Sequence, residues 1–191
     1  MCIRDRFVIQ KILQSKLNIF ILVVVAYFLI HFSNNVLTDF LVGMPGADFV
    51  HIPSGFKLLF VLIAGWLGAV GIATATLFLV VMYEYPDDYF LGFQLAVMSG
   101  LAPYLAKKLA VQKFAMNDDL SHITSKQLVL VVLIFVFLNS SFNHAVLSWS
   151  EVNPSFIDET QTSFIADITG TFIVFLLLKL ISKKLLKVAE S

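Results

Sequence analysis

The chain is short of charge. Only 14% of its 191 residues are Asp, Glu, Lys or Arg, where an ordinary soluble domain carries about 25%. The rest cannot cover a water-facing surface: 59% of residues are hydrophobic, Phe alone occurs 19 times, and mean hydropathy is +0.88. A soluble fold is thereby excluded, and lipid is the expected solvent. The 13 basic residues balance the 13 acidic ones, so no bulk field exists to hold nucleic acid. Cysteine is almost absent. Cys2 stands alone, which leaves no disulfide framework and no thiolate metal cluster. The first six residues fit no span; whether they are native is left open, and they are set aside from function. Also missing are G-x-S-x-G, H-E-x-x-H, P-loop and dinucleotide patterns, so the sequence points to no enzyme and no cofactor.

What the chain does have is long apolar runs. A helix needs about 20 predominantly apolar residues to cross a bilayer. Residues 17–37, 88–106, 128–147 and 163–181 meet that. The first run resembles a signal peptide behind Arg4, Arg6, Lys11 and Lys16, but it is too long and no small-x-small site follows it. A retained span is expected.

The stretch 55–83 suits either one tilted helix or two short ones, and charge topology chooses between them. Lys and Arg collect on the cytoplasmic side of bacterial spans. Here they cluster before residue 17, at Lys107, Lys108, Lys113 and Lys126, and at Lys179, Lys183, Lys184 and Lys187. The connections 39–51, 84–89 and 150–162 carry acids and no Lys or Arg. One crossing at 55–83 would strand Lys107 and Lys108 outside; a hairpin or re-entrant pair keeps every basic cluster inside. Lys57 is then the one basic residue off the cytoplasmic side. The turn is expected within 65–71, where Gly65, Gly68 and Gly71 allow close backbone approach. The expected fold is an all-α, polytopic membrane bundle of six segments with both termini cytoplasmic. It has a cytoplasmic N-terminal segment (1–16), one membrane domain (17–181) and a basic cytoplasmic tail (182–191), and a bacterial inner membrane is the expected location.

Polar groups inside a bilayer are costly, by about 2.5–3.5 kcal/mol for a central charge, so each needs a reason. Asp167 lies one turn into the last span and shares a face with Gly170 and Thr171. It reads either as a ligand or cation contact, or as an interhelical partner or helix N-terminal carboxylate. Lys57 follows His51-Ile52-Pro53-Ser54-Gly55. It reads either as a positive charge beside a helix start able to hold an anion, or as a side chain snorkelling to the interface; pairing with Asp167 would serve both. Asn139 and Asn143, one turn apart, project together on the fifth span with Ser140, Ser141 and His144 nearby. Gln94, Ser99, Asn34, Asn35 and Asp39 complete the polar set. No two of His31, His51 and His144 stand at i, i+4, so no metal site is expected.

These groups share a depth. By the topology above, Asn35, His51, Lys57, Gln94, Asn139, Asn143 and Asp167 fall in the extracytoplasmic half, while the inner halves are nearly pure hydrocarbon. A polar cup open to the outside, of the kind that binds small molecules, accounts for that segregation. Polar contacts serving only as glue between helices, worth about 0.6 kcal/mol each, would not need it.

The order of these features resembles the first class of bacterial membrane-associated sensor domains, over roughly residues 17–185. Pro53-Ser54-Gly55 opening a short hydrophobic hairpin is similar to that family's Pro-x-Gly start. Gly65, Gly68 and Gly71 look like its glycine-marked turn. Phe164-Ile165-Ala166-Asp167-Ile168-Thr169-Gly170 looks like its closing Gly-Asp-x-x-Gly helix, with Ala166 in place of the first glycine. Ser99-Gly100-Leu101 lacks that family's fourth-span Gly-Asn pair, and fewer spans are present. The resemblance implies ligand sensing with signalling through a protein partner. The chain also resembles the substrate-binding subunits of energy-coupling-factor vitamin transporters, which are similar in size and helix number. Its Ala64-Gly65 and Gly68, Ala69 and Gly71 would then form a docking strip for a transmembrane partner. A structural scaffold without a pocket is the third alternative.

Overall fold

The computed structural model describes residues 16–40, 50–118, 123–150 and 156–189, with the side chains of 37–40, 156–159 and 181–189 excepted. Cys2, Arg4, Arg6, Lys11 and the side chains of Asp39, Lys183, Lys184 and Lys187 lie outside the described residues. Within the described residues the regular elements are all helical: α1 (Lys16–Phe40), α2 (Ile52–Ala64), α3 (Trp66–Leu79) running into a π-helical turn (Val80–Glu84), α4 (Tyr89–Lys113), α5 (Ser125–Trp149) and α6 (Phe156–Ala189). Among the described residues five stretches are long and apolar enough to cross a membrane: Lys16–Val36, Trp66–Glu84, Tyr89–Lys113, Ser125–Trp149 and Thr160–Leu180. Helix α2 is the exception. Its 13 residues rise about 20 Å, against a hydrocarbon core of about 30 Å.

The chain reverses between α2 and α3 on a single residue. Gly65 has φ 59° and ψ −130°, a backbone state open almost only to glycine. A Cβ on Gly68 would meet the Phe60 carbonyl and the Val61 backbone, so the two helices touch main chain to main chain just past the reversal. The turn is therefore tighter than the expected 65–71. Residues 66–71 already belong to α3, because one residue in this conformation redirects the chain without a loop. Gly71 faces Val23 and the Phe20 carbonyl of α1 instead.

Local signals fix the other ends. Asp88 caps α4 by accepting from the Leu91 N–H at 2.8 Å. Thr124 and Gln127 form a reciprocal capping box on α5, the Thr-x-x-Gln pattern that satisfies two orphan donors at once. Tyr85 N–H reaches back to the Val80 carbonyl at 2.7 Å to close the π turn, and Pro86 follows, disfavouring further helix.

Helix α3 packs along α1 and α4, α4 along α5, and α5 along α6; α2 lies inside that arc and touches all five. Leu58 and Leu62 of α2 join Ala106, Ala110, Val131 and Phe135 in one core cluster. Val61 joins Val23, Tyr27, Ile72 and Ala75 in another. The outward faces carry Leu22, Leu29, Phe78, Phe93, Phe137 and Leu176 exposed, apolar surface that suits lipid and not water.

A half-length helix ends inside the bundle, so its terminal backbone groups must find protein partners. At the amino end His51 N–H donates to the Ala166 carbonyl at 3.1 Å and Ile52 N–H to Asn34 Oδ1 at 3.3 Å. Pro53 has no N–H to satisfy. At the carboxyl end Gly65 N–H donates to the Val61 carbonyl at 2.9 Å, and Lys107 Nζ donates to the Leu62 carbonyl at 3.1 Å. Gly170 makes the amino end possible: a Cβ there would fall on the His51 carbonyl and the Ile52 nitrogen. Gly55 lies likewise against Thr171 and Val174.

Candidate functional site

The docking of α2 on α6 brings Ser54 to Asp167. Ser54 Oγ donates to Asp167 Oδ1. Asp167 Oδ2 accepts from Asn139 Nδ2 at 2.6 Å and from Ser140 Oγ at 3.3 Å. The carboxylate is 3% exposed and has three donors from two helices, α2 and α5, as a buried acid requires. Asn139 turns its other atom the opposite way: Oδ1 accepts from Lys57 Nζ at 3.4 Å, and Ser99 Oγ accepts from the same amine at 3.3 Å. Lys57 is 5% exposed, and its Nζ lies 6.0 Å from the centre of the Tyr27 ring, within cation–π range. Pro103, inside α4, leaves the Ser99 carbonyl without its usual helical donor.

The Lys57–Asp167 pair raised by the sequence is thus indirect. No direct ion pair joins the two among the described residues; Asn139 stands between them and bonds both. The reason is geometric. Ser54 reaches Asp167 on α6, while Lys57, most of a turn further along α2, reaches Ser99 of α4 and Asn139 of α5.

Beside this chain lies a cavity of about 190 Å³, walled by Tyr27 and His31 of α1, His51 and Lys57, Thr76, Leu79 and Val80 of α3, Glu84 and Tyr85, Leu95 and Ser99 of α4, and Asn143 and Leu147 of α5. His31 Nε2 lies 3.9 Å from Glu84 Oε1, and the His31 and His51 rings are edge to face with centroids 5.9 Å apart. The π turn sits where α3 meets the cavity, a place where such turns recur at functional sites.

Of the residues singled out from the sequence, His51, Lys57, Ser99 and Asn143 line the cavity. Asn139 and Asp167 form its second layer. Asn34 is structural, holding the start of α2. His144 is half-buried on α5, and neither it nor Gln94 is part of the cavity wall; the Gln94 Oε1 is buried without a hydrogen bond. Among the described residues no three His, Cys, Asp or Glu side chains gather as a metal site. Reading the sequence missed Tyr27, Thr76 and Glu84. A tyrosine inside an apolar run was a usable signal for the first, since a buried hydroxyl needs a partner; Glu84 looked like a loop acid. No protein-family model matches the chain, and neither a curated protein nor a solved structure matches it.

Proposed function

We propose that the chain is a multi-pass protein of a bacterial inner membrane, with six membrane segments and both termini cytoplasmic. On this reading it is a binding module: the cavity beside Lys57 takes a small polar ligand from the extracytoplasmic side, and occupancy is relayed to a protein partner. The cavity itself carries the proposal. Lys57, His31, His51, Glu84, Ser99 and Asn143 converge on one space of about 190 Å³ in a bundle whose outward faces are apolar. Polar glue between helices would close on itself; these groups leave room. At about 30 Å³ per water the space suits a compact ligand of a few heavy atoms, one acidic group of which would sit on Lys57.

The hairpin supports the topology, since Asp88 begins α4 and Lys107 lies near its far end, beside Gly65. That arrangement puts the α2–α3 turn at the basic end. The central position of α2 supports a relay, because one helix touches all the others. The glycine strip favours sensing over transporter-type docking. Gly68 is used against α2, Ala69 against Gly100 of α4 and Gly71 against α1, so of that strip only the Ala64-Gly65 turn is left for a partner.

The test is thermal unfolding of the purified protein across a panel of small carboxylates, amino acids and amines. Comparison is with Lys57→Met and Asp167→Asn. A compound that stabilises the wild type, fails on Lys57→Met and weakens on Asp167→Asn supports the cup. A panel without a single stabilising compound, with Lys57→Met clearly less stable than wild type, would favour the scaffold. A neighbouring gene for a cyclase or kinase would point to sensing, and one for paired ATPases to uptake.

A further inference from the structure

A second recess lies at the opposite end of α2. It measures about 240 Å³ and is walled by Gly65, Trp66, Tyr104, Lys107, Lys108 and Asp118, with Val111 and Gln112. Lys107 is 7% exposed. Its amine donates to the Leu62 carbonyl at 3.1 Å and pairs with Asp118 Oδ1 at 3.1 Å, which accounts for two of its three N–H groups. The Asp118 side chain is 81% exposed. An ion pair with one partner that open is weak and exchangeable, so Asp118 holds a place that another anion can take.

The surroundings favour a phosphate. Lys108 adds a second cation, and Gln112, four residues on, adds an amide on the same face. Helix α3 begins here at Trp66, and its first N–H groups have no preceding helical carbonyl to bond. The carboxyl end of α2 meets the same spot, but Lys107 already answers it. Trp66 is 56% exposed and Tyr104 borders the recess. Indole and phenol beside lysines are the side chains that gather at headgroup depth, and basic recesses between membrane helices hold anionic headgroups.

We propose that this recess binds the phosphate of an anionic membrane lipid, with Lys107 and Lys108 as its cations and Asp118 as the group it displaces. The site is separate from the cavity at Lys57 and stands whether or not that cavity takes a ligand. Full-length protein in neutral detergent is titrated with phosphatidylglycerol, phosphatidylcholine or inorganic phosphate, and unfolding temperature and lipid adducts by native mass spectrometry are recorded. Phosphatidylglycerol is expected to stabilise and to survive as an adduct, phosphatidylcholine not to. Lys108→Gln, a surface change, should weaken the phosphatidylglycerol response several-fold without altering the lipid-free melting temperature. Asp118→Asn should strengthen it several-fold. Equal responses to phosphatidylglycerol and phosphatidylcholine overturn the proposal, as does a response untouched by both substitutions. Inorganic phosphate matching phosphatidylglycerol overturns the lipid as the source of the phosphate.

Discussion

Both ends of α2 hold a buried lysine, and the two are held in opposite ways. Lys107 meets the carboxyl end, where helix carbonyls favour a cation. It bonds one of them, at Leu62, and has Asp118 as a direct counter-ion. Lys57 lies on the second turn from the amino end, where the dipole gives a cation no help. Its acceptors are the neutral Ser99 and Asn139 at 3.3 and 3.4 Å, beyond the usual length of an N–H···O bond. Asp167 reaches it only through Asn139. A hairpin needs what Lys107 does; among the described residues no carboxylate pairs directly with Lys57. That is why we propose the amino end as the place for a ligand, with Lys57, not Asp167, at its centre.

The comparison can be broken first at the contact that seats the amino end. Gly170→Val would drive a side chain into the backbone of His51 and Ile52, where no rotamer can yield. It should cost about 3 kcal/mol or more, read as loss of the folded monomer in detergent or a collapse of its melting temperature. Asp167→Ala comes next. It strands the donors of Ser54, Asn139 and Ser140 and should cost about 3 kcal/mol by denaturant titration, with Asp167→Asn milder. Lys107→Met removes the bond to Leu62 and should cost about 1–2 kcal/mol; Lys57→Met should cost less than that, or even stabilise. If Lys57→Met proves the more damaging of the two, the contrast between the ends is wrong. Asn34→Ala, which uncaps α2, should cost about 1 kcal/mol. Asp118→Asn should stay within about 0.5 kcal/mol in the absence of lipid.

Much of this was legible residue by residue. The apolar runs gave the existence and centres of the long helices, because a run that must satisfy every backbone group in lipid has little choice but helix. Helices α4 and α6 nevertheless run seven or eight residues past the expected ends. The basic clusters gave the reversal within 55–83. Asp167, Lys57 and Asn139 announced themselves as polar groups in apolar surroundings. Other features were hidden. Gly65, Gly68 and Gly71 looked alike in sequence, yet one turns the chain and two make room for neighbouring helices. His144 and Gln94 looked as good as Asn143, but which way a helix faces depends on its neighbours. Lys107 looked like a topology marker until α2 ended against it.

By itself, then, the sequence determined that this is an apolar helical chain, suited to a membrane, that turns back on itself. Composition and charge position suffice for that, since both act through the solvent and need no partner. The tertiary structure decided the rest: that α2 lies at the centre, that Asn139 separates Lys57 from Asp167, and that Asp118 covers Lys107. Those are contacts between residues as far apart as 113 positions, set by how helices seat against one another, and no local pattern encodes them.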